Sequence, residues 1–102
     1  MIIEWLKFKV DAKSREEFIA RDQSIWTAFL SSIPGFLSKE VWIEPNAPDR
    51  VIFVIRWQTR EDWQSIPNKE LRKVDKRFST EMRRLNIHYK PIGGAEYQIR
   101  KF

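Results

Sequence analysis

The 102 residues are about the length of one domain, since domains usually contain ~100–150 residues. Apolar residues make up 42% and charged residues 32% of the chain, a mixture typical of a globular protein rather than a disordered one. The absence of cysteine and the single histidine exclude disulfides, thiolate metal sites, a cysteine nucleophile and sites that require a pair of histidines. We therefore predict one domain over residues 1–102, without a metal centre.

The chain carries 19 basic and 14 acidic side chains, a net charge of +5. Seven basic residues against three acidic ones fall between Pro67 and Leu85, and such a segment attracts phosphates. The interspersed acidic residues favour a solvated helix face instead. Charges interrupt the apolar residues at the N-terminus, and no stretch reaches the ~20 predominantly apolar residues that span a bilayer. We therefore expect a cytoplasmic protein that does not contact a membrane.

The first predicted element is a strand over residues 3–10, where apolar residues alternate at a period of two. A capping box of Ser14 and Glu17 then predicts the start of a helix, because the hydroxyl can accept from the third-turn amide while the carboxylate reaches back. Apolar residues recur at helical spacing after it. Pro34 and Gly35 predict where this helix ends.

Two further strands and a second helical region follow. Residues 36–44 alternate again, residues 45–49 have turn composition, and residues 51–57 carry an apolar side chain at every odd position. Thr59 is the predicted N-cap of the second helical region. Pro67 is expected to divide that region into a short first piece and a main helix, since proline is tolerated mainly in a first turn.

The main helix carries a narrow apolar stripe. Its members are Leu71, Val74, Phe78, Met82 and Leu85. Residues 88–94 are predicted to form a loop, because they contain a proline and a glycine pair, and residues 95–102 a fourth strand. The order βαββαβ predicts an α+β, ferredoxin-like fold, with a four-stranded antiparallel sheet and two helices on one face.

Two helices cover only one face of such a sheet. The residues expected beneath them are Leu6, Phe8, Val10, Leu37, Val41, Ile43 and the odd positions from Val51 to Trp57. Alternation places Trp5, Phe36, Trp42, Ile52 and Val54 on the opposite face, where they would exceed the apolar patch that a soluble monomer usually exposes. Opposite charges between them are expected to pair across strands. Either a second copy of the chain or an unstacked nucleic-acid strand is expected to cover this face. We favour a homodimer through the face that carries Trp5, Phe36 and Trp42.

Two segments resemble a known family. Residues 33–36 (Ile-Pro-Gly-Phe) and residues 57–63 (Trp-Gln-Thr-Arg-Glu-Asp-Trp) are similar to the dimeric α/β-barrel superfamily, above all to its antibiotic-biosynthesis-monooxygenase-like branch. A Pro-Gly-Phe turn and a Trp-x-Ser/Thr-x-Glu-x-aromatic segment recur in that branch. The chain also resembles a small group of uncharacterised cyanobacterial proteins of about this length and element order.

The resemblance implies a homodimer whose two sheets pack into a barrel, with a ligand pocket between sheet and helices. The superfamily includes cofactor-free oxygenases of aromatic polyketides, haem-degrading enzymes and isomerases, so membership does not determine the chemistry. The haem-degrading activity is not carried over, because the first strand has no Asn and His88 lies beyond the main helix.

Asp22 is the most informative polar residue. A helical wheel places it between Phe18 and Trp26, in the middle of the apolar stripe of the first helix. A buried, unpaired carboxylate is unfavourable by several kcal/mol, so it requires a donor or a proton. One interpretation is a general base or ligand-orienting group in the pocket. The alternative is a structural carboxylate that accepts from a Trp indole, a Tyr hydroxyl or an Arg.

His88 is the second candidate for acid–base chemistry, because it is the one side chain that titrates near neutrality. The alternative is a surface or helix-capping histidine. The aromatic residues expected to line the pocket and bind a substrate are Trp26, Phe29, Trp57, Trp63 and Tyr89.

We therefore predict a small-ligand-binding protein that resembles cofactor-independent monooxygenases, takes a small apolar or aromatic ligand, and requires no cofactor. Catalysis would be that of a monooxygenase or an isomerase. One alternative is a single-stranded nucleic-acid module of the RRM type, but residues 50–57 lack the glycine and inner aromatics of its strand-three signature. Another is a non-catalytic dimeric structural or interaction protein.

Overall fold

Four strands, β1 (Ile2–Val10), β2 (Phe36–Trp42), β3 (Arg50–Trp57) and β4 (Tyr89–Gln98), form one antiparallel sheet. The computed structural model, which describes residues 1–101, places them in the order β2-β3-β1-β4. The helices are α1 (Arg15–Asp22), α2 (Ala28–Leu30), α3 (Arg60–Gln64) and α4 (Asn68–Arg84). The predicted ferredoxin-like α+β architecture is confirmed. Among the described residues, no helix combines the length and apolar content required to cross a bilayer.

The hydrophobic core lies between the helices and one face of the sheet. One cluster is built around Phe18, Phe53 and Phe78, and a second around Leu30 and Trp57. Burying a large apolar side chain contributes roughly 1.5–3 kcal/mol, so these residues dominate the stability of the fold. The predicted stripe of the main helix is confirmed, since its members pack into these two clusters.

The predicted starts of the two helical regions have different outcomes. Thr59 caps α3 as predicted, because its Oγ1 accepts a hydrogen bond from the backbone N of Asp62 at 3.1 Å. Pro67 precedes α4 and separates it from α3, also as predicted. The helix start at Ser14 is right, since Ser14 is the N-cap residue of α1, but the predicted hydrogen bond of its side chain is absent. A 3₁₀ turn (Ala12–Ser14) precedes α1, and Ser14 donates its backbone N–H to Asp11 at 2.8 Å, while its side chain makes no capping hydrogen bond.

The first helical segment contains an irregularity that the sequence pattern did not predict. A π-helical turn (Gln23–Thr27) joins α1 to α2 without a break. A π turn takes up one more residue than an α turn, so every later side chain is displaced by about one position on the helix surface. Leu30 is consequently buried at the position of the apolar stripe where a regular α-helix would place Phe29.

A register shift at the start of β2 corrects the predicted composition of the open sheet face. Phe36 pairs with Trp57, but Ser38 pairs with Arg56, so Leu37 is an extra residue opposite β3. Phe36 therefore packs on the helix side, edge-on to Trp57 with ring centroids 5.8 Å apart. Its assignment to the dimer face is wrong. Leu37, expected beneath the helices, is exposed instead.

The last strand begins earlier than predicted. Residues 89–94 belong to β4 rather than to a loop. Pro91 is tolerated in this strand because β4 is an edge strand of the sheet. Gly93 has a local role there, since a Cβ at this position would lie 3.3 Å from the ring of Trp5. β4 ends at Gln98, and Phe102, which the predicted strand included, lies outside the described residues.

The open sheet face is less apolar than expected. Val54 and Ile52 are buried within the single chain, whereas Trp42 is 44% exposed. The expected cross-strand pairing of opposite charges is confirmed by the ion pair between Arg56 of β3 and Glu40 of β2. Lys7 of β1 pairs with Glu44, which follows the end of β2. The apolar groups left accessible include Trp5, Trp42 and, on β4, Tyr97.

Candidate functional site

A cavity of about 220 Å³ lies between the helices and the sheet. Six of the aromatic rings in its wall belong to Phe8, Phe18, Trp26, Phe53, Trp63 and Phe78. An apolar cavity of ~150 Å³ is large enough to hold benzene in another protein. The space is therefore sufficient for a small aromatic molecule.

A buried ion pair lies in the wall of this cavity. Lys39 of β2 donates from its Nζ to Oδ2 of Asp22 at the end of α1, and the two side chains are only 2% and 5% exposed. The ammonium group also lies over the ring of Phe53, 4.4 Å from its centroid. Asp22 thus has a donor, but the donor is a lysine and not the Trp, Tyr or Arg expected for a structural carboxylate.

A second carboxyl group, that of Glu4 on β1, lines the same cavity. Trp57 donates from its indole Nε1 to Oε1 of Glu4 at 3.3 Å. Within residues 1–101 this is the one hydrogen bond recorded for the Glu4 carboxyl group, and it leaves the other oxygen, Oε2, without a donor. The two carboxyl groups therefore have different environments, one ion-paired and one held by a neutral donor.

The sheet register explains why these charged groups meet. Ile55 of β3 is the direct partner of both Glu4 on β1 and Lys39 on β2. Directly paired residues point to the same face, so the three side chains form one row that faces the helices. Two strand spacings separate the Cα atoms of Glu4 and Lys39 by about 10 Å, a distance within the reach of two long side chains.

Burial shifts the pKa values of Asp22, Glu4 and Lys39. It raises the pKa of Asp22, and the charge and hydrogen bond of Lys39 oppose that effect. It also raises the pKa of Glu4, opposed first by the hydrogen bond from Trp57 and then by the charge of Lys39. Burial lowers the pKa of Lys39, which the nearby carboxylates partly offset. Groups with such pKa shifts in a cavity are candidates for proton transfer.

The structure brings only some of the predicted aromatic residues into the cavity wall. Trp26, Trp63 and Tyr89 line it, and burial followed by the charge of Asp75 raises the pKa of Tyr89, so its hydroxyl stays protonated. Phe29 and Trp57 are absent from the wall. Phe29 is displaced by the π turn and packs edge-on against Trp26, with centroids 6.3 Å apart. Trp57 is fully buried, and its indole Nε1 donates to Glu4, which does line the cavity.

His88 does not join Asp22 in one site. Its side chain is exposed and lines a separate, open depression with Lys9, Asp11 and Lys90. Tyr89 borders both spaces. Asp22 and His88, the two candidates for acid–base chemistry, therefore lie in different places, and Asp22 shares its cavity with Trp26 and Trp63 instead.

Sequence reasoning missed Glu4 and Lys39, although a signal for both was present. Glu4 has the same parity as Leu6 and Phe8 in the first strand, and Lys39 the same parity as Val41 in the second. A charged residue at an inward position of a strand requires a buried partner. Applying the same alternation to residues 4 and 39 would have predicted that Glu4 and Lys39 face the helices.

Comparison with known proteins identifies a family. Residues 1–69 match the family model described as antibiotic biosynthesis monooxygenase. Glu4, Asp22, Lys39 and Trp57 all lie within the matched region. Curated proteins gave no significant match to the chain.

Several solved structures share the fold at low sequence identity. SnoaB from Streptomyces nogalater, a cofactor-independent oxygenase, is 15% identical with a TM-score of 0.66, and the alignment covers 99% of this chain and 94% of SnoaB. The monooxygenase of the gene ActVA-Orf6 of Streptomyces coelicolor, solved with the ligand nanaomycin D, is 14% identical with a TM-score of 0.64, covering 99% and 88%. A dimeric ferredoxin-like protein from an uncultured marine organism is 16% identical with a TM-score of 0.66, covering 100% and 98%.

Proposed function

This chain belongs to the antibiotic biosynthesis monooxygenase family, and we propose that it is a cofactor-independent monooxygenase that oxidises a small aromatic substrate in the cavity. The observation that carries the proposal is the buried Asp22–Lys39 pair in the wall of an aromatic cavity. Ligand sites are typically apolar pockets with a few convergent polar groups, and this cavity has that composition. The fold shared with a cofactor-independent oxygenase supports the same function.

Oxidation without a cofactor requires that the substrate itself supplies electrons to O₂. A CH₂ group activated by neighbouring aromatic rings and a carbonyl loses a proton to a carboxylate of the protein and becomes an electron-rich anion. The anion adds O₂ and, after taking up a proton, forms a hydroperoxide. This loses water to leave a carbonyl group, so that CH₂ and O₂ become C=O and H₂O.

Lys39 has the main electrostatic role in this reaction. Its ammonium group stabilises the negative charge of the anion, and it is more effective in a dry cavity than in water. Asp22 holds Lys39 in place through the ion pair. Asp22 is thus a positioning residue that acts through Lys39.

We further propose that the protein is a homodimer whose subunits meet through the open sheet face. Trp5 and Trp42 are the apolar residues that this contact would bury, without Phe36. The dimeric ferredoxin-like neighbour supports this arrangement. The open face is a poor surface for nucleic acid, since Lys7 and Arg56 on it are already paired with carboxylates.

Anthrone, a three-ring ketone with one activated CH₂ group, is a suitable test substrate. The expected result is uptake of one O₂ for each anthraquinone formed, at a rate above that in buffer alone. Asp22→Asn should lower this rate, whereas Asp11→Asn, the same change outside the cavity, should leave it unchanged. Quenching of the fluorescence of Trp26 and Trp63 reports binding. Failure of the wild-type protein both to bind anthrone and to accelerate O₂ uptake would refute the proposed function.

A further inference from the structure

The two carboxyl groups of the cavity differ in their capacity to take up a proton. Asp22 is engaged by the ammonium group of Lys39 through a direct hydrogen bond. Glu4 accepts one hydrogen bond, from the neutral indole of Trp57, at Oε1 only. The structure records no direct ion pair between Glu4 and Lys39 within residues 1–101, although their charges attract each other. Oε2 of Glu4 is therefore the carboxylate oxygen available to a ligand.

We propose that Glu4 is the catalytic base that removes a proton from the substrate. The C–H bond of the substrate breaks, the proton moves to Oε2 of Glu4, and the electron pair stays on the substrate, where Lys39 stabilises it. This inference rests on the proposed function, since it assigns the proton acceptor of that reaction.

The position of Glu4 in the sheet supports this role. Glu4 and Lys39 flank Ile55 in one row, and all three line the cavity. A planar ligand placed over Ile55 has the carboxyl group on one side and the ammonium group on the other. A base and an anion-stabilising group on opposite sides of a substrate meet the geometric requirement for deprotonation.

The charged groups around Glu4 leave its carboxyl available. Glu96 of β4 is its direct partner in the sheet, but Glu96 is neutralised by Arg60 of α3 at 3.0 Å. Asp75 of α4 lines the cavity and adds a negative charge. Burial raises the pKa of Glu4, which makes the carboxylate a stronger base at neutral pH.

The exchange of acidic C–H hydrogens for deuterium tests the assignment without O₂. 2-Tetralone, a two-ring aromatic ketone, is incubated with the protein in D₂O under nitrogen, and loss of its α-proton signals is followed by NMR. Wild-type protein should accelerate the exchange, and Glu4→Gln should reduce the acceleration by roughly 10²-fold or more. Glu96→Gln, the matching change at the neighbouring sheet position, should leave it unchanged. Trp fluorescence should show that all three proteins bind the ketone.

The possible results separate this inference from the proposed function. Full exchange by Glu4→Gln, or equal losses in Glu4→Gln and Glu96→Gln, would overturn the role of Glu4 while ligand binding stands. Wild-type protein that binds the ketone without exchanging it would have the same consequence. Absence of binding, together with absence of O₂ uptake with anthrone, would instead overturn the proposed function and this inference with it.

A second variant covers the case in which Glu4→Gln does not fold. Trp57→Phe removes the N–H donor that stabilises the Glu4 carboxylate, so it should raise the pKa of Glu4 further. The pH profile of exchange should then move to higher pH. An unchanged profile in a folded variant would overturn the assignment.

Discussion

Replacing Lys39 with methionine is expected to destabilise the protein by roughly 3–5 kcal/mol, the usual effect of breaking a buried ion pair. The reason is that Asp22 keeps its buried carboxylate but loses its counter-charge. The two side chains are 2% and 5% exposed, so without the ammonium group the carboxylate is poorly solvated by bulk water. Methionine keeps a similar length and an unbranched stem, so little packing is lost. At about 4–8 °C per kcal/mol for a domain of this size, the melting midpoint should fall by about 12 °C or more.

The loss of stability caused by Lys39→Met should depend on pH in a defined direction. Burial raises the pKa of Asp22, and both opposing effects come from Lys39, so Lys39→Met raises that pKa further. A carboxyl group whose pKa is raised in the folded state stabilises the protein fully at pH values below its unfolded-state pKa, which is 3.8 for Asp. This contribution is lost as the pH rises through the folded-state pKa. The difference between variant and wild type should therefore increase from acid to neutral pH.

Thermal melts followed by circular dichroism at several pH values measure both effects. The control is the double variant Asp22→Leu/Lys39→Met, which removes both charges and should recover most of the lost stability, because apolar replacements of a buried pair are often neutral or stabilising. A loss below about 1 kcal/mol in the single variant would refute the reasoning, since exposed pairs contribute only that much. A double variant as unstable as the single one would refute it too.

Two further predictions concern Glu4 and the open sheet face. Glu4→Gln should melt at a higher temperature than wild type, because the raised pKa of Glu4 makes its ionised form destabilising in the folded protein. The gain in stability should grow as the pH rises above the ordinary Glu value of 4.5, by about 1.4 kcal/mol for each unit of difference between the folded and unfolded pKa. A gain that is equal at acid and neutral pH would contradict this prediction. Light scattering should give about twice the 12.4 kDa chain mass for the wild-type protein. Trp42→Glu should give a monomer or unfold, whereas Ala28→Glu, on the exposed helix surface, should remain a dimer. A monomeric wild-type protein would contradict the proposed interface.

The order of elements and much of the core could be predicted from local patterns. The odd positions of β3, from Val51 to Trp57, are buried against the helices as the period-two pattern predicted. Thr59 caps α3 because its side chain and the amide of Asp62 are neighbours in the chain. Such features depend on a few adjacent residues, so the sequence contains the information directly.

Local patterns failed where the backbone departs from regular geometry. Phe36 was assigned to the wrong face because alternation assumes that every residue of β2 opposes one residue of β3, and Leu37 does not. Phe29 was assigned to the cavity because a regular wheel takes no account of the π turn before it. Each irregularity adds a residue to one element and reverses or rotates everything beyond it.

The sequence by itself determined that the chain forms a βαββαβ domain, that the resemblance lies with the antibiotic biosynthesis monooxygenases, and that a buried Asp22 requires a donor or a proton. Only the tertiary structure decided which partner it has. Lys39 reaches Asp22, and Glu4 faces the same cavity, because strands that are distant in the chain pair through Ile55 in one register. Strand pairing depends on the packing of the whole sheet against both helices, since each contact between distant segments must offset the entropy of closing the chain between them.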